Sequence, residues 1–234
     1  IPLRLVGSEM CIRDSFLIMG VVFCVCLICS NLLEVKMISL GGITATAGLI
    51  VFPISYIIND CIAEVWGYRK ARLIIWLGFL MNLMAIIFIQ IAIILPSALF
   101  WDGQKSFETV FSSTPRILLA SFIAFLVGSF LNAYVMSKMK ISSKGKHFSL
   151  RAITSTVVGE SADSLLFFPI AFGGVVPVNE LLILIVTQAC LKTAYEIVIL
   201  PVTIRVVRFV KKIDGSDVYD QKVSYNIFKI KELQ

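Results

Sequence analysis

Residues 73–95 read LIIWLGFLMNLMAIIFIQIAIIL, 23 positions without one charge. A helix needs about 20 apolar residues to cross the hydrocarbon core of a bilayer, so this stretch suffices by itself. Its amides are Asn82 and Gln90. Five further apolar runs lie outward from it, at about 16–33, 44–63, 116–137, 151–172 and 181–205. Gly41-Gly42, Pro96, Pro115, Gly173-Gly174 and Pro177 mark most of the breaks between them. The whole chain agrees with this reading. Its 234 residues are 58% hydrophobic and 15% charged, and its mean hydropathy is +0.92. Soluble domains carry about 25% charge. The composition excludes a secreted domain, a disordered chain and a soluble enzyme, and six spans leave no room for a separate extramembrane domain. The expected fold is all-α, a polytopic membrane protein of six transmembrane helices.

The charges set an orientation. Lys and Arg fall mainly in three connections: Arg69, Lys70 and Arg72; Lys138, Lys140, Lys144, Lys146 and Arg151; and Arg205, Arg208, Lys211, Lys212, Lys222, Lys229 and Lys231. The other three connections hold Lys36, Lys105 and Arg116. Fifteen against three is a positive-inside bias that puts both termini in the cytoplasm. It also explains a pI near 9.0 without nucleic acid. Three regions follow: 1–15, read as non-native or disordered because its charges are scattered and fit no signal peptide; 16–210, the six-helix domain; and 211–234, a cytoplasmic tail.

Ionisable groups within a span cost roughly 2.5–3.5 kcal/mol each and need partners. Span two carries Asn59, Asp60 and Glu64; span five carries Glu160 and Asp163; span six carries Gln188, Lys192 and Glu196. Glu160 and Asp163 are i,i+3 and share a helix face, and Gln188, Lys192 and Glu196 step by four along one stripe. Glu160, Asp163 and Lys192 fall near mid-membrane depth. The expectation is one polar cavity between spans five and six. The plainer alternative is a structural ion pair, with Lys192 held by Glu160, Asp163 or, along its own helix, Glu196. Asp60 and Glu64 have an interfacial alternative, pairing with Arg69 or Arg72. Pro53 and Pro169 are read as interruptions of spans two and five. Cys24, Cys26 and Cys29 read as small membrane residues rather than a metal site, since no His or carboxylate stands among them. His147, the one histidine, reads as a solvated loop residue.

Motifs add a resemblance. Residues 59–72 read NDCIAEVWGYRKAR and residues 159–174 GESADSLLFFPIAFGG; weaker matches are SNLLEVKMISLGG at 30–42 and DVYDQKVSYNIF at 217–228. In this order and at this length they resemble the queuosine precursor transporter family, also called vitamin uptake transporter-like, from about Phe16 to the C-terminus. The resemblance implies a six-span bacterial inner-membrane importer of 7-deazaguanine-type precursors, a non-enzyme without a cofactor. It implies the bilayer and a small 7-deazapurine as partners, with no nucleic acid and no obligatory ATPase, and it is compatible with a homo-oligomer. A 7-deazaguanine edge offers adjacent N–H donors that one carboxylate can accept in pairs, and its ring seeks an aromatic face. Asp163 and Glu160 are therefore the first substrate candidates, then Asp60 and Asn59, with Lys192, Glu196, Gln188 and Phe167 completing the set. Phe168 and Tyr195 are further aromatic candidates.

Two other classes compete. A substrate-binding subunit of an energy-coupling-factor vitamin importer has the same size, but span one offers Gly20 and Cys24 without the small-residue alanine pair such subunits use for docking. A membrane enzyme needs a base with a nucleophile or metal in reach, and His147 lies far from the carboxylates. No Walker A pattern occurs.

Overall fold

A computed structural model describes residues 3–33, 36–40, 43–111, 115–221 and 223–227. Its elements are α1 (Leu3–Leu33), a hairpin of β1 (Met37–Leu40) and β2 (Ile43–Thr46), a 3-10 turn (Ala47–Ile50), α2 (Phe52–Ile94), α3 (Gln104–Phe111), α4 (Pro115–Ser142), α5 (Phe148–Phe172) and α6 (Val178–Asp214). Glu34, Gly41-Gly42, Lys222, Lys229 and Lys231, read above as breaks, motif or tail charges, lie outside the described residues.

Burial runs opposite to that of a soluble protein. Asp60, Glu64, Arg72, Lys140, Arg151, Glu160 and Glu196 are buried, while Leu17, Val21, Ile87, Phe88, Val198 and Val202 stand exposed, Phe88 at 60%. An apolar outer surface of this extent is lipid-facing. Four helical stretches are long and apolar enough to cross a membrane: Asp14–Leu33, Ala47–Ile94, Leu119–Ser142 and Val178–Asp214. α5 is not among them, because it carries Glu160, Asp163 and four serines along its length. The chain is a mainly helical, multi-pass membrane protein.

Several boundaries differ from expectation. α1 starts at Leu3, ahead of the first apolar run. The run expected at 44–63 as one span begins instead with β2 and the 3-10 turn, and helix starts at Phe52. Pro53 sits in that first helical turn, where its missing N–H costs nothing, so it does not interrupt a span. Spans two and three form one continuous element, broken at Gly67 (φ 81°, ψ 176°). At 43 residues and 1.5 Å per residue, α2 is roughly twice the hydrocarbon thickness.

The core joins Phe23 and Leu27 of α1, Tyr56, Ile62, Trp66 and Ile75 of α2, Phe125 and Met136 of α4, and Leu200 and Val207 of α6. α4 and α5 pack at close range through two glycines. A Cβ at Gly159 would meet the Gly128 carbonyl at 2.9 Å and Asn132 Cβ at 2.9 Å; a Cβ at Gly128 would meet Tyr56 Oη at 2.6 Å. Small residues let membrane helices approach this closely.

The basic connections converge at one end of the bundle. Arg151 grips Glu64 with both guanidinium nitrogens, Lys211 Nζ lies 2.7 Å from Glu64 Oε1, and Lys140 Nζ lies 3.9 Å from it and donates to the Glu64 carbonyl. The tail docks on the same end. Asp220 accepts from the Tyr68 backbone N–H (2.9 Å) and from Ser137 Oγ (2.5 Å); Arg72 donates to the Ser224 and Asn226 carbonyls and Trp76 Nε1 to the Ile227 carbonyl. Asp217 binds Lys140 (2.6 Å) and Lys211 (2.8 Å). Burial opposes the Asp217 charge, but the hydrogen bonds from Lys140 and Lys211 outweigh it and hold this carboxyl below its usual range. At the opposite end Arg116 donates to the Ile170 and Gly173 carbonyls and so caps the exit of α5.

Candidate functional site

The carboxylates of α5 lie about 18 to 23 Å along that helix from its start at Phe148, counting 1.5 Å per residue. Lys192, on α6, lies between them. Its Nζ is 2.9 Å from Glu160 Oε2 and 3.0 Å from Asp163 Oδ2, and sits 4.1 Å from the centre of the Phe52 ring. One cation thus faces two carboxylates and one aromatic face. Glu160 is 1% exposed and its Oε1 has no hydrogen-bond partner. A structural ion pair needs one carboxylate, and here two share the single cation. The lysine turns away from Glu196 on its own helix, so the intrahelical alternative does not apply.

Asp163 also borders a cavity that opens beside this triad. Its other walls are Leu27 and Asn31 of α1, Phe52 of α2, Ser121 and Phe125 of α4, and Phe167 of α5. Phe167 packs edge-on against Phe168 (5.2 Å between centroids) and Phe172 (6.0 Å). The cavity measures about 30 Å³, close to one water's share of liquid volume.

Asp60, Asn59 and Glu196 form a second group, away from that cavity. Asn59 Nδ2 donates to the Ser129 carbonyl and to Asn132 Oδ1, each at 3.3 Å, and Asn132 donates onward to Thr156 Oγ1 at 3.4 Å. Asp60 is fully buried, with Ser155 Oγ at 3.5 Å from Oδ1 and no partner on Oδ2. Glu196 is buried beside Asp60 and Thr156, and neither of its oxygens accepts a hydrogen bond of normal geometry. Gln188 is buried on α6 one turn before Lys192. Glu160, Asp163 and Lys192 thus meet as one group, Asp60 and Glu196 meet one turn deeper, and the cavity beside Asp163 is walled by α1, α2, α4 and α5 rather than lying between spans five and six. Glu64 pairs with Arg151, Lys211 and Lys140 rather than with Arg69 or Arg72. Tyr195 donates to the Ile50 carbonyl, and His147 is an exposed left-handed residue (φ 52°) at the start of α5.

Phe52, Asn31, Ser121 and Phe125 were not singled out by sequence. Asn31 lies in the motif at 30–42, but the other three are ordinary members of apolar runs. Only tertiary packing brings them to Asp163.

The arrangement can bind. Aromatic walls, a bridging lysine and acceptor oxygens suit a flat, hydrogen-bonding or cationic solute. The described residues hold no group of three side chains able to share a metal ion.

Known proteins give the same direction. The family described as "Putative vitamin uptake transporter" matches residues 46–206. A "Probable queuosine precursor transporter" of Bacillus subtilis (strain 168) is 31% identical over 176 residues, 74% of this chain and 76% of that protein. A "Queuosine precursor transporter" of Escherichia coli (strain K12) is 29% identical over 143 residues, 61% of this chain and 62% of that protein. A "Probable queuosine precursor transporter" of Haemophilus influenzae is 29% identical over 128 residues, 55% and 52% respectively. No solved structure matches. These names describe transporters and do not favour a subunit of an energy-coupling-factor importer. With the family match covering Thr46 to Val206, and so the helices that hold both carboxylate groups, the chain belongs to the putative vitamin uptake transporter family, which includes the queuosine precursor transporters.

Proposed function

We propose that this protein imports queuosine precursors of the 7-deazaguanine type across the bacterial inner membrane. It does so through six spans with both termini cytoplasmic. The kink at Gly67 divides α2 into spans two and three, and α5 crosses as the fifth span with its carboxylates turned inward. The bias of fifteen basic residues to three supports this orientation, and so does the gathering of Arg72, Lys140, Arg151 and Lys211 at one end.

The observation that carries the reading is the Glu160–Lys192–Asp163 triad beside an aromatic cavity. Asp163 accepts the paired N–H donors of the 7-deazaguanine edge. Lys192 holds Glu160 and Asp163 until the solute arrives, and Phe52 and Phe167 receive the ring. Charge-assisted hydrogen bonds of this kind contribute about 1.5–3 kcal/mol each. A bicyclic ring is several times larger than one water, so α1 and α4 separate from α5 to admit it, and closing returns the compact form. Asp60 and Glu196 lie off this cavity and are not substrate contacts in this reading.

The test is the queuosine content of tRNA in a bacterium that cannot make the precursors and lacks its own importer, supplied with limiting precursor. Expression of this chain restores queuosine, and Asp163→Asn at equal membrane abundance does not. Correctly inserted wild type that restores nothing would refute the proposal.

A further inference from the structure

Five carboxylates run through the helical domain in sequence of depth: Asp163, Glu160, Glu196, Asp60 and Glu64. The outer two share Lys192, and the innermost has Arg151, Lys140 and Lys211. The middle two differ. Among the described residues no ion pair reaches Asp60 or Glu196. They lie within reach of each other between α2 and α6, at 0% and 2% exposure. Three of their four oxygens, Asp60 Oδ2 and both of Glu196, lack a hydrogen-bond partner, and so does the neighbouring Asn59 Oδ1. Two ionised carboxylates offer only acceptors. Buried side by side without a cation, they cannot both keep their charge.

The charged and titratable groups facing the pair are Tyr56, Cys61 and Glu64 from α2 and Glu160 from α5, while Lys192 of α6 is held by Glu160 and Asp163. α4 presents the Asn132 amide. Each cation in reach is already engaged, Lys192 outward and Arg151, Lys140 and Lys211 inward.

We propose that Asp60 and Glu196 form a proton site that couples transport to the proton gradient. One H⁺ adds to a carboxylate oxygen as an O–H, which donates to the other carboxylate. The bond breaks and the same H⁺ leaves toward the opposite side, so charge and atoms balance over a cycle. The unsatisfied oxygens accept this hydrogen bond, and the carboxylates on either side, Glu160 and Glu64, lie along the route by which the proton comes and goes. The inference rests on the carrier reading above and adds its driving force.

The experiment uses the full chain in liposomes, with the nitrile-bearing 7-deazaguanine as probe and a pH-sensitive dye inside. Two quantities are read: exchange of labelled for unlabelled probe without any gradient, and accumulation under an inside-alkaline gradient of one pH unit. Wild type exchanges, accumulates the probe up to about tenfold, the limit for one proton per neutral solute, and acidifies the lumen as probe enters. Glu196→Gln and, separately, Asp60→Asn keep exchange and lose accumulation. Exchange without gradient-driven accumulation in wild type, or accumulation driven by a sodium gradient instead, overturns the proton site. Retained accumulation in both variants overturns it too. Loss of exchange in both, at normal monodispersity in detergent, assigns the pair to the solute site and overturns it. Wild type without exchange overturns the carrier reading itself, and the lumen dye then reports no entry in either direction.

Discussion

Replacing Glu64 with Gln removes one charge from a site where three cations meet, and the consequence can be worked from the contacts. Glu64 and Arg151 are each 1% exposed. After the change, Arg151 loses its carboxylate and keeps the neutral carbonyls of Gly145 and Lys146 (3.2 Å each), Lys140 keeps Asp217 with the backbone carbonyls of position 64 and Val218, and Lys211 falls back on Asp217. A buried guanidinium without its carboxylate, next to two ammonium groups, is the case in which breaking a buried pair costs about 3–5 kcal/mol. For a chain of this length each kcal/mol lowers the melting temperature by about 2–4 °C, so the expected drop is roughly 6–20 °C. Thermal unfolding of the detergent-solubilised protein, followed by tryptophan fluorescence, measures it. The double variant Glu64→Gln/Arg151→Met removes the stranded charge and recovers part of the loss. Asp217→Asn, whose side chain is 46% exposed, moves the melting point far less. A Glu64→Gln protein that melts within 2 °C of wild type, where that bound comes from the slope above, would refute the claim that this carboxylate holds the bundle end together.

Three further outcomes follow from particular contacts. Gly67→Ala places a Cβ 2.7 Å from Asp220 Oδ1 at φ 81°, so the tail should detach, and limited proteolysis after Gly215 should speed up several-fold at unchanged insertion. Gly159→Val drives α4 from α5 at the Gly128 carbonyl; overpacking of about 1–3 kcal/mol should reduce the yield of monodisperse protein, whereas Ala162→Val, elsewhere on the same helix, should not. Asp217 has a depressed pKa in the folded state, so its contribution is full above the ordinary carboxyl value of 3.8 and is lost as pH falls through its lower folded value. Tail proteolysis should therefore rise in that acid window in wild type, and the difference from Asp217→Asn should vanish there; a constant difference down through the window would contradict the pairing.

The sequence made the long helices readable because bilayer thickness demands long apolar runs, and residues 73–95 could be nothing else. It also grouped the basic connections, and Lys140, Arg151 and Lys211 meet at one end of the bundle. Placing Lys192 against Glu160 and Asp163 followed from depth alone. Other features had no local signature. Whether residues 44–50 continue a helix was undecidable from hydropathy, because β2 and the 3-10 turn are as apolar as a span. Glu64 and Arg151 are 87 residues apart, and neither position has a periodic mark naming the other. The split between Asp163 and Asp60 depends on how α2 and α5 face their neighbours, which is a matter of tertiary packing such as the close approach at Gly128 and Gly159. Part of the docking of the tail is written in side-chain bonds to backbone carbonyls, as with Arg72 and Trp76, which any residues at 224–227 could accept.

The most direct test of the central claim is equilibrium binding of labelled nitrile-bearing 7-deazaguanine to the purified protein in detergent. Wild type is compared with Asp163→Asn and with Lys105→Met at the opposite end from the tail. Wild type and Lys105→Met bind saturably, and Asp163→Asn binds with an affinity lower by about 10- to 150-fold, the equivalent of one charge-assisted hydrogen bond. Equal affinity in Asp163→Asn, or no saturable binding by folded wild type, would contradict it.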